Sequence, residues 1–97
     1  MKTYLIKRDI PEAGKLTARQ LKAIAIKSCG VVEKIGPQIE WLHSYIAGNN
    51  LFCIYRAESE DIIREHGAIG GFPVNQVYEI FGTFSPATAK EPVAETV

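Results

Sequence analysis

The segment Ile39–Arg56 limits the possible folds more than any other, because it has the pattern of a β-hairpin. Two runs rich in aromatic and β-branched residues flank Gly48-Asn49-Asn50, residue types that tolerate the positive φ of tight turns. Successive side chains of a strand point to opposite faces. If those three residues form the loop, one face collects Trp41, His43, Tyr45, Leu51, Cys53 and Tyr55.

The two faces of this hairpin are predicted to differ in role. We expect the alternate set to be the core face beneath the helices: Leu42, Ser44, Ile46, Phe52 and Ile54. In this register Tyr45 lies opposite Cys53 and His43 opposite Tyr55, so His43 and Cys53 are diagonal neighbours on the other face. A one-residue slip would separate them.

Two helices are indicated by their end signals. Thr17 and Gln20 form a capping box at the start of the first, and Gly36-Pro37 ends it. Its predicted inward stripe is Leu21, Ile24, Ser28, Val31 and Ile35. Ser59 begins the second helix and Gly70-Gly71 ends it. His66 shares the apolar side of that helix, close to its carboxyl end, where the helix dipole favours a cationic imidazole.

Strands at residues 2–8 and 74–85 complete a β-α-β-β-α-β order. This order predicts an α+β, ferredoxin-like sandwich with both helices on one side of a sheet. Residues 1–85 form the single predicted domain, and residues 86–97 a flexible tail. The uncovered sheet face would expose a large apolar patch, so we expect a homodimer, a dimeric α/β barrel with the two sheets packed face to face.

Composition limits the partners. The chain is 46% hydrophobic and 23% charged, which is typical of a soluble globular domain. Eleven basic residues balance eleven acidic ones without a basic stripe, which argues against nucleic acid as a partner. No apolar run approaches the ~20 residues that span a bilayer, and no signal-peptide pattern is present. We therefore expect a cytoplasmic protein without a membrane partner.

A metal site is one hypothesis for the imidazole- and thiol-bearing face. Imidazole nitrogen and thiolate sulfur suit nickel(II) or another divalent transition metal. His43 and Cys53 are the first candidate ligands, with His66 from the second helix and Glu79 from the last strand. The competing interpretation is a buried histidine hydrogen-bonded to a tyrosine within the dimer interface.

Two further functions stay open at the level of sequence. A cofactor-free, monooxygenase- or isomerase-like enzyme would use a cavity lined by Trp41, Tyr45 and Tyr55, with Lys7 nearby and His43 as general base. No paired acid–base constellation is present, so the sequence favours a non-enzymatic protein and no catalytic residue is assigned. The third possibility is an interaction module whose open sheet only dimerises.

Three blocks of the sequence resemble a family of small ferredoxin-like proteins of unassigned role that carries a nickel-binding label. They are DIPEAGKLT, GPQIEWLHSYIAGNNLFCIY and REHGAIGGFP, within residues 3–84. The resemblance implies a βαββαβ protomer, dimerisation through the sheets and nickel binding. It also implies ligand roles for His43, Cys53 and His66, whereas Glu79 is added from the strand pattern.

Overall fold

The computed structural model describes residues 1–92, and these form a four-stranded antiparallel sheet with two helices. The elements are β1 (Lys2–Asp9), α1 (Ala18–Ile35), β2 (Ile39–Ala47), β3 (Asn50–Ala57), α2 (Glu60–Gly70) and β4 (Gln76–Ile80), with short 3-10 helices at Ala13–Lys15 and Pro86–Lys90. The strand order is β2-β3-β1-β4. This arrangement is the ferredoxin-like topology, so the predicted α+β fold is confirmed.

The helix ends follow their local sequence signals. The backbone N–H of Gln20 donates to Thr17 Oγ1 at 3.1 Å, and the N–H of Thr17 donates to Gln20 Oε1 at 2.9 Å. This is the predicted capping box. Helix α1 ends before Gly36, and α2 ends before Gly71, whose φ of 70° places it in the left-handed region.

The hairpin register differs from the predicted one by a residue. Ala47 pairs with Asn50, so the loop contains only Gly48 and Asn49, with Gly48 at a φ of 59°. A two-residue loop is the commonest way to connect antiparallel strands. As a result Cys53 lies opposite Ser44 and not opposite Tyr45.

A second irregularity lies further along β2. Trp41 pairs with Tyr55, yet His43 pairs with Ile54, so the register shifts by one residue between them, as expected for a β-bulge at Leu42. Without the bulge, residues two apart would share a face. Here Trp41 and His43 point to opposite faces of the sheet.

The sheet face beneath the helices, called the covered face below, carries the core. It includes Tyr4, Ile6, Cys53 and Tyr55, which pack with Ile63 of α2. The prediction that Leu51, Cys53 and Tyr55 lie on the uncovered side is therefore wrong. Both alternating sets of β3 are apolar, so hydrophobicity alone did not distinguish the covered set from the other.

The opposite side of the sheet, called the open face below, is covered by neither α1 nor α2. Alternation and pairing assign to it Leu5, Lys7, His43, Tyr45, Phe52, Ile54, Tyr78 and Ile80. Tyr45 and Tyr78 each expose more than half of their surface, at 58% and 52%. The open face thus keeps an apolar, aromatic character, with His43 and Tyr45 on it as predicted but without Leu51, Cys53 and Tyr55.

The last strand is shorter than the predicted 74–85. Strand β4 ends at Ile80, and Phe81 and Phe84 beyond it are almost fully exposed. Part of the predicted tail forms the exposed 3-10 helix at Pro86–Lys90, whereas residues 93–97 lie outside the described residues. Flexibility of this tail stays a prediction. Among the described residues, no helix has the length and apolarity to cross a membrane.

Candidate functional site

A cluster of buried polar side chains lies between the covered face and the two helices. Its members, called the polar cluster below, are Arg8 of β1, Ser28 of α1, Tyr55 of β3 and His66 of α2. Ser28 Oγ lies 2.8 Å from Tyr55 Oη and 3.1 Å from His66 Nε2. One hydroxyl therefore joins both helices to the sheet through hydrogen bonds in the core.

His66 is held in this cluster as a neutral imidazole. Its ring packs against Tyr55, with ring centroids 4.9 Å apart, and stacks on Phe72 at 5.6 Å. Burial, and then the positive charge of Arg8, lower the pKa of His66 to about 4. The dipole of α2 favours a cationic ring, but the loss of hydration on burial outweighs that effect. Burial also raises the pKa of Tyr55, so its phenol stays protonated.

Arg8 is the unusual member of the cluster, because it is a charged side chain with only 2% of its surface exposed. Its Nη1 donates to the carbonyl of Pro73 at 2.9 Å. Its guanidinium carbon lies 5.4 Å from the ring centroid of Phe72 and 5.9 Å from that of Tyr55. Its buried Nη2 has no acceptor among residues 1–92. Rings and one carbonyl therefore replace only part of the hydration that this cation loses.

The four predicted metal ligands are not brought together. His43 lies exposed on the open face, and Cys53 is buried on the covered face. His66 is buried in the polar cluster, while Glu79 on β4 lies 3.7 Å from Lys2 Nζ. Residues 1–92 contain no group of three or more His, Cys, Asp or Glu that could hold a metal ion. The predicted diagonal contact between His43 and Cys53 is wrong, because the two-residue loop moves them to opposite faces.

The predicted pocket residues are divided in the same way. Trp41 and Tyr55 line a pocket between the covered face and α1. Tyr45 and Lys7 belong to the open face, on the far side of the sheet. His43 shares that far side, so it cannot act as a general base in a cavity formed by Trp41 and Tyr55. The structure therefore gives no support to the hypothesis of an enzyme that uses His43 as general base in an aromatic cavity.

Arg8 was missed as a candidate residue, although the sequence carried a signal for it. Tyr4 and Ile6 alternate along β1 on the covered face, and Arg8 is the next residue in that period of two. A charged residue at a core position marks a site that requires explanation. Ser28 was predicted to face inward and does, but its link to His66 depends on the packing of α1 against α2.

Comparison with known proteins identifies the family. A crystal structure of SCO4226 from Streptomyces coelicolor A3(2) superposes with a TM-score of 0.69 at 14% sequence identity, covering 84% of this chain and 99% of that one. At this identity the likeness is evidence of a shared fold alone. No curated protein matches the chain significantly. A family model described as "Nickel responsive protein SCO4226-like" matches residues 4–80, and the chain therefore belongs to the SCO4226-like family.

Proposed function

We propose that this protein is a homodimer that binds nickel(II) between the open faces of two copies, with His43 of each copy as a ligand. The observation that carries the proposal is the location of His43. The chain has two histidines, and His66 is buried and engaged with Ser28, so His43 is the accessible imidazole. Imidazole is a good ligand for nickel, the metal named in the family description.

A second copy is required because one protomer offers too few donors. Within residues 1–92, the one aromatic neighbour of His43 is Tyr45, with the ring centroids 5.1 Å apart in an edge-to-face arrangement. No cluster of three ligand-type side chains surrounds it within residues 1–92. An isologous dimer presents each residue of its interface twice. Two stacked open faces would therefore supply two imidazoles, with water or other open-face groups completing the coordination.

The surface of the open face supports such a dimer. Half-exposed Tyr45 and Tyr78 lie on it together with the apolar side chains of Leu5, Phe52 and Ile80. Contiguous apolar patches of this kind mark interaction surfaces in soluble proteins. Since the ion would bind only where two copies meet, nickel and dimerisation would strengthen each other by linkage.

Calorimetric titration of metal-free protein with nickel(II), combined with light scattering, tests this proposal. We expect one ion per two chains, and nickel should shift the population from monomer to dimer. His43→Ala should lose most of the uptake. His66→Gln removes the other imidazole and should retain it, as should Cys53→Ser and Glu79→Gln.

Two results would contradict the proposal. One is undiminished uptake by His43→Ala, and the other is binding of one ion by each monomer. A protein that dimerises but takes up no nickel would instead support the simpler interaction module. A cytoplasmic location stays a prediction from the sequence.

A further inference from the structure

The pocket between α1 and the covered face has the features of a second ligand site. Its volume is about 270 Å³. Leu21 and Ile24 of α1 form one wall, and Trp41, Ile46 and Leu51 of the sheet form another. For comparison, an apolar cavity of about 150 Å³ can hold benzene. The pocket therefore has room for a single ring, or a short aliphatic chain, that carries one polar group.

Arg8 gives this apolar pocket its one charged wall. Arg8 is among the lining residues, and its buried Nη2 has no protein acceptor in residues 1–92. No Asp or Glu of those residues forms an ion pair with it. An unpaired buried charge is strongly destabilising, and an anion that accepts a hydrogen bond from it recovers much of the lost free energy. The nearby imidazole of His66 is neutral and does not compete for such an anion.

From these contacts we propose that the pocket binds a small organic carboxylate, with its apolar body against α1 and its carboxylate on Arg8. A carboxylate fits better than a phosphate because the other polar groups on the wall are the uncharged side chains of Ser28, Ser44, Cys53 and Tyr55. A doubly charged phosphate would need more cationic partners than Arg8. A metal cation is disfavoured by the same guanidinium charge.

This site is separate from the proposed nickel site. Trp41 marks the pocket on the covered face, whereas His43 lies on the open face across the bulge. Failure of nickel binding would therefore leave the carboxylate proposal standing, and the reverse also holds. His43→Ala should bind the carboxylate as the wild type does.

Trp41 makes the test direct, because it is the only tryptophan in the chain and it lines the pocket. Tryptophan fluorescence and amide NMR shifts would be followed while benzoate, phenylacetate or hexanoate is added. Neutral benzamide serves as the uncharged probe. We expect at least one carboxylate to bind about tenfold more tightly than the amide, since a charge-assisted hydrogen bond distinguishes them.

Two arginine variants separate the role of Arg8 from general charge effects. Arg8→Met replaces the guanidinium with an apolar chain and should weaken carboxylate binding by about tenfold or more while leaving benzamide binding unchanged. The matched control is Arg56→Met, because Arg56 lies exposed on β3 near Glu40. This control should bind like the wild type.

A pocket-filling variant keeps the test valid even if Arg8→Met fails to fold. Ala25 of α1 lines the pocket and is half-buried, so Ala25→Phe should displace both the carboxylate and the amide. The proposal is overturned if no carboxylate perturbs Trp41 at millimolar concentration. It is equally overturned if the amide binds as tightly as the acid, or if a folded Arg8→Met variant retains wild-type affinity for the acid.

Discussion

Acid should destabilise this protein through His66 in particular. The ordinary pKa of a histidine in an unfolded chain is about 6.5, and burial with the charge of Arg8 lowers it to about 4 in the folded protein. Between these two values the unfolded chain binds a proton at His66 and the folded chain does not. Stability therefore falls as the pH drops through this window, and the contribution is fully present only above about pH 6.5.

The size of the effect follows from the shift in pKa. Each unit corresponds to about 1.4 kcal/mol, so a shift from the ordinary value to about 4 makes the full loss on the order of 3 kcal/mol. That is a large fraction of the roughly 5–15 kcal/mol by which domains are stable. Carboxylates also titrate in acid, so the contribution of His66 must be isolated by a variant.

His66→Gln removes the titrating ring while keeping a side chain that can hydrogen-bond to Ser28. Urea unfolding would be measured by circular dichroism at intervals from pH 7 to pH 4 for the wild type and the variant. We expect a variant that is less stable at pH 7 but loses about 3 kcal/mol less than the wild type over this range. His43→Gln is the matched control, because the ring of His43 is exposed, and it should follow the wild-type curve.

Parallel stability curves for the wild type and His66→Gln would refute this reasoning. They would mean that the imidazole finds equivalent solvation in the folded and unfolded chains. A flattened curve for His43→Gln would also contradict it, because the pH dependence would then arise on the open face.

Two other variants examine the surroundings of His66, and a third serves as a control. Arg8→Met should raise the pKa of His66 toward its ordinary value without fully restoring it, because burial is the larger cause; imidazole NMR titration measures this. Gly67→Ala should destabilise the fold by about 1–3 kcal/mol, since a Cβ there would lie 2.5 Å from Val74 Cγ2. Gly14→Ala has open space around its added methyl and should change the unfolding midpoint little.

The elements of this fold could be predicted because their signals are local. The capping box of Thr17 and Gln20 determines where α1 begins within one turn of chain, and glycines end both helices. The inward position of His66 follows from helical periodicity in the same way. Each of these features depends on residues no more than a few positions apart.

The face assignments could not be predicted because they depend on single-residue counts in the hairpin. A loop of Gly48 and Asn49, one residue shorter than expected, moved Cys53 away from Tyr45 and His43. The bulge at Leu42 then returned Trp41 to the same face as Tyr55, as predicted, although Tyr55 was expected opposite His43 and pairs with Trp41 instead. Neither the length of the loop nor the position of the bulge could be predicted from the local sequence, so strict alternation was assumed throughout the hairpin.

The candidate sites could be predicted from the sequence only in part, for a related reason. His43 lies on the uncovered face as expected, although the predicted neighbours Trp41, Cys53 and Tyr55 lie on the covered face. The polar cluster was not recognised, since Arg8 and His66 are 58 positions apart and meet only when β1 and α2 pack on the same side of the sheet. Such long-range contacts follow from topology rather than from any local motif.

The bulge at Leu42 also determines how this hairpin tolerates changes in length. Removing Leu42 would leave Trp41 directly before His43, and strict alternation would still direct the first toward the helices and the second away from them. Only the local bend of the strand would be lost. Removal of any residue between His43 and Ala47 would instead invert the rest of the strand. An alignment of this hairpin with a shorter relative should therefore place a one-residue gap at Leu42.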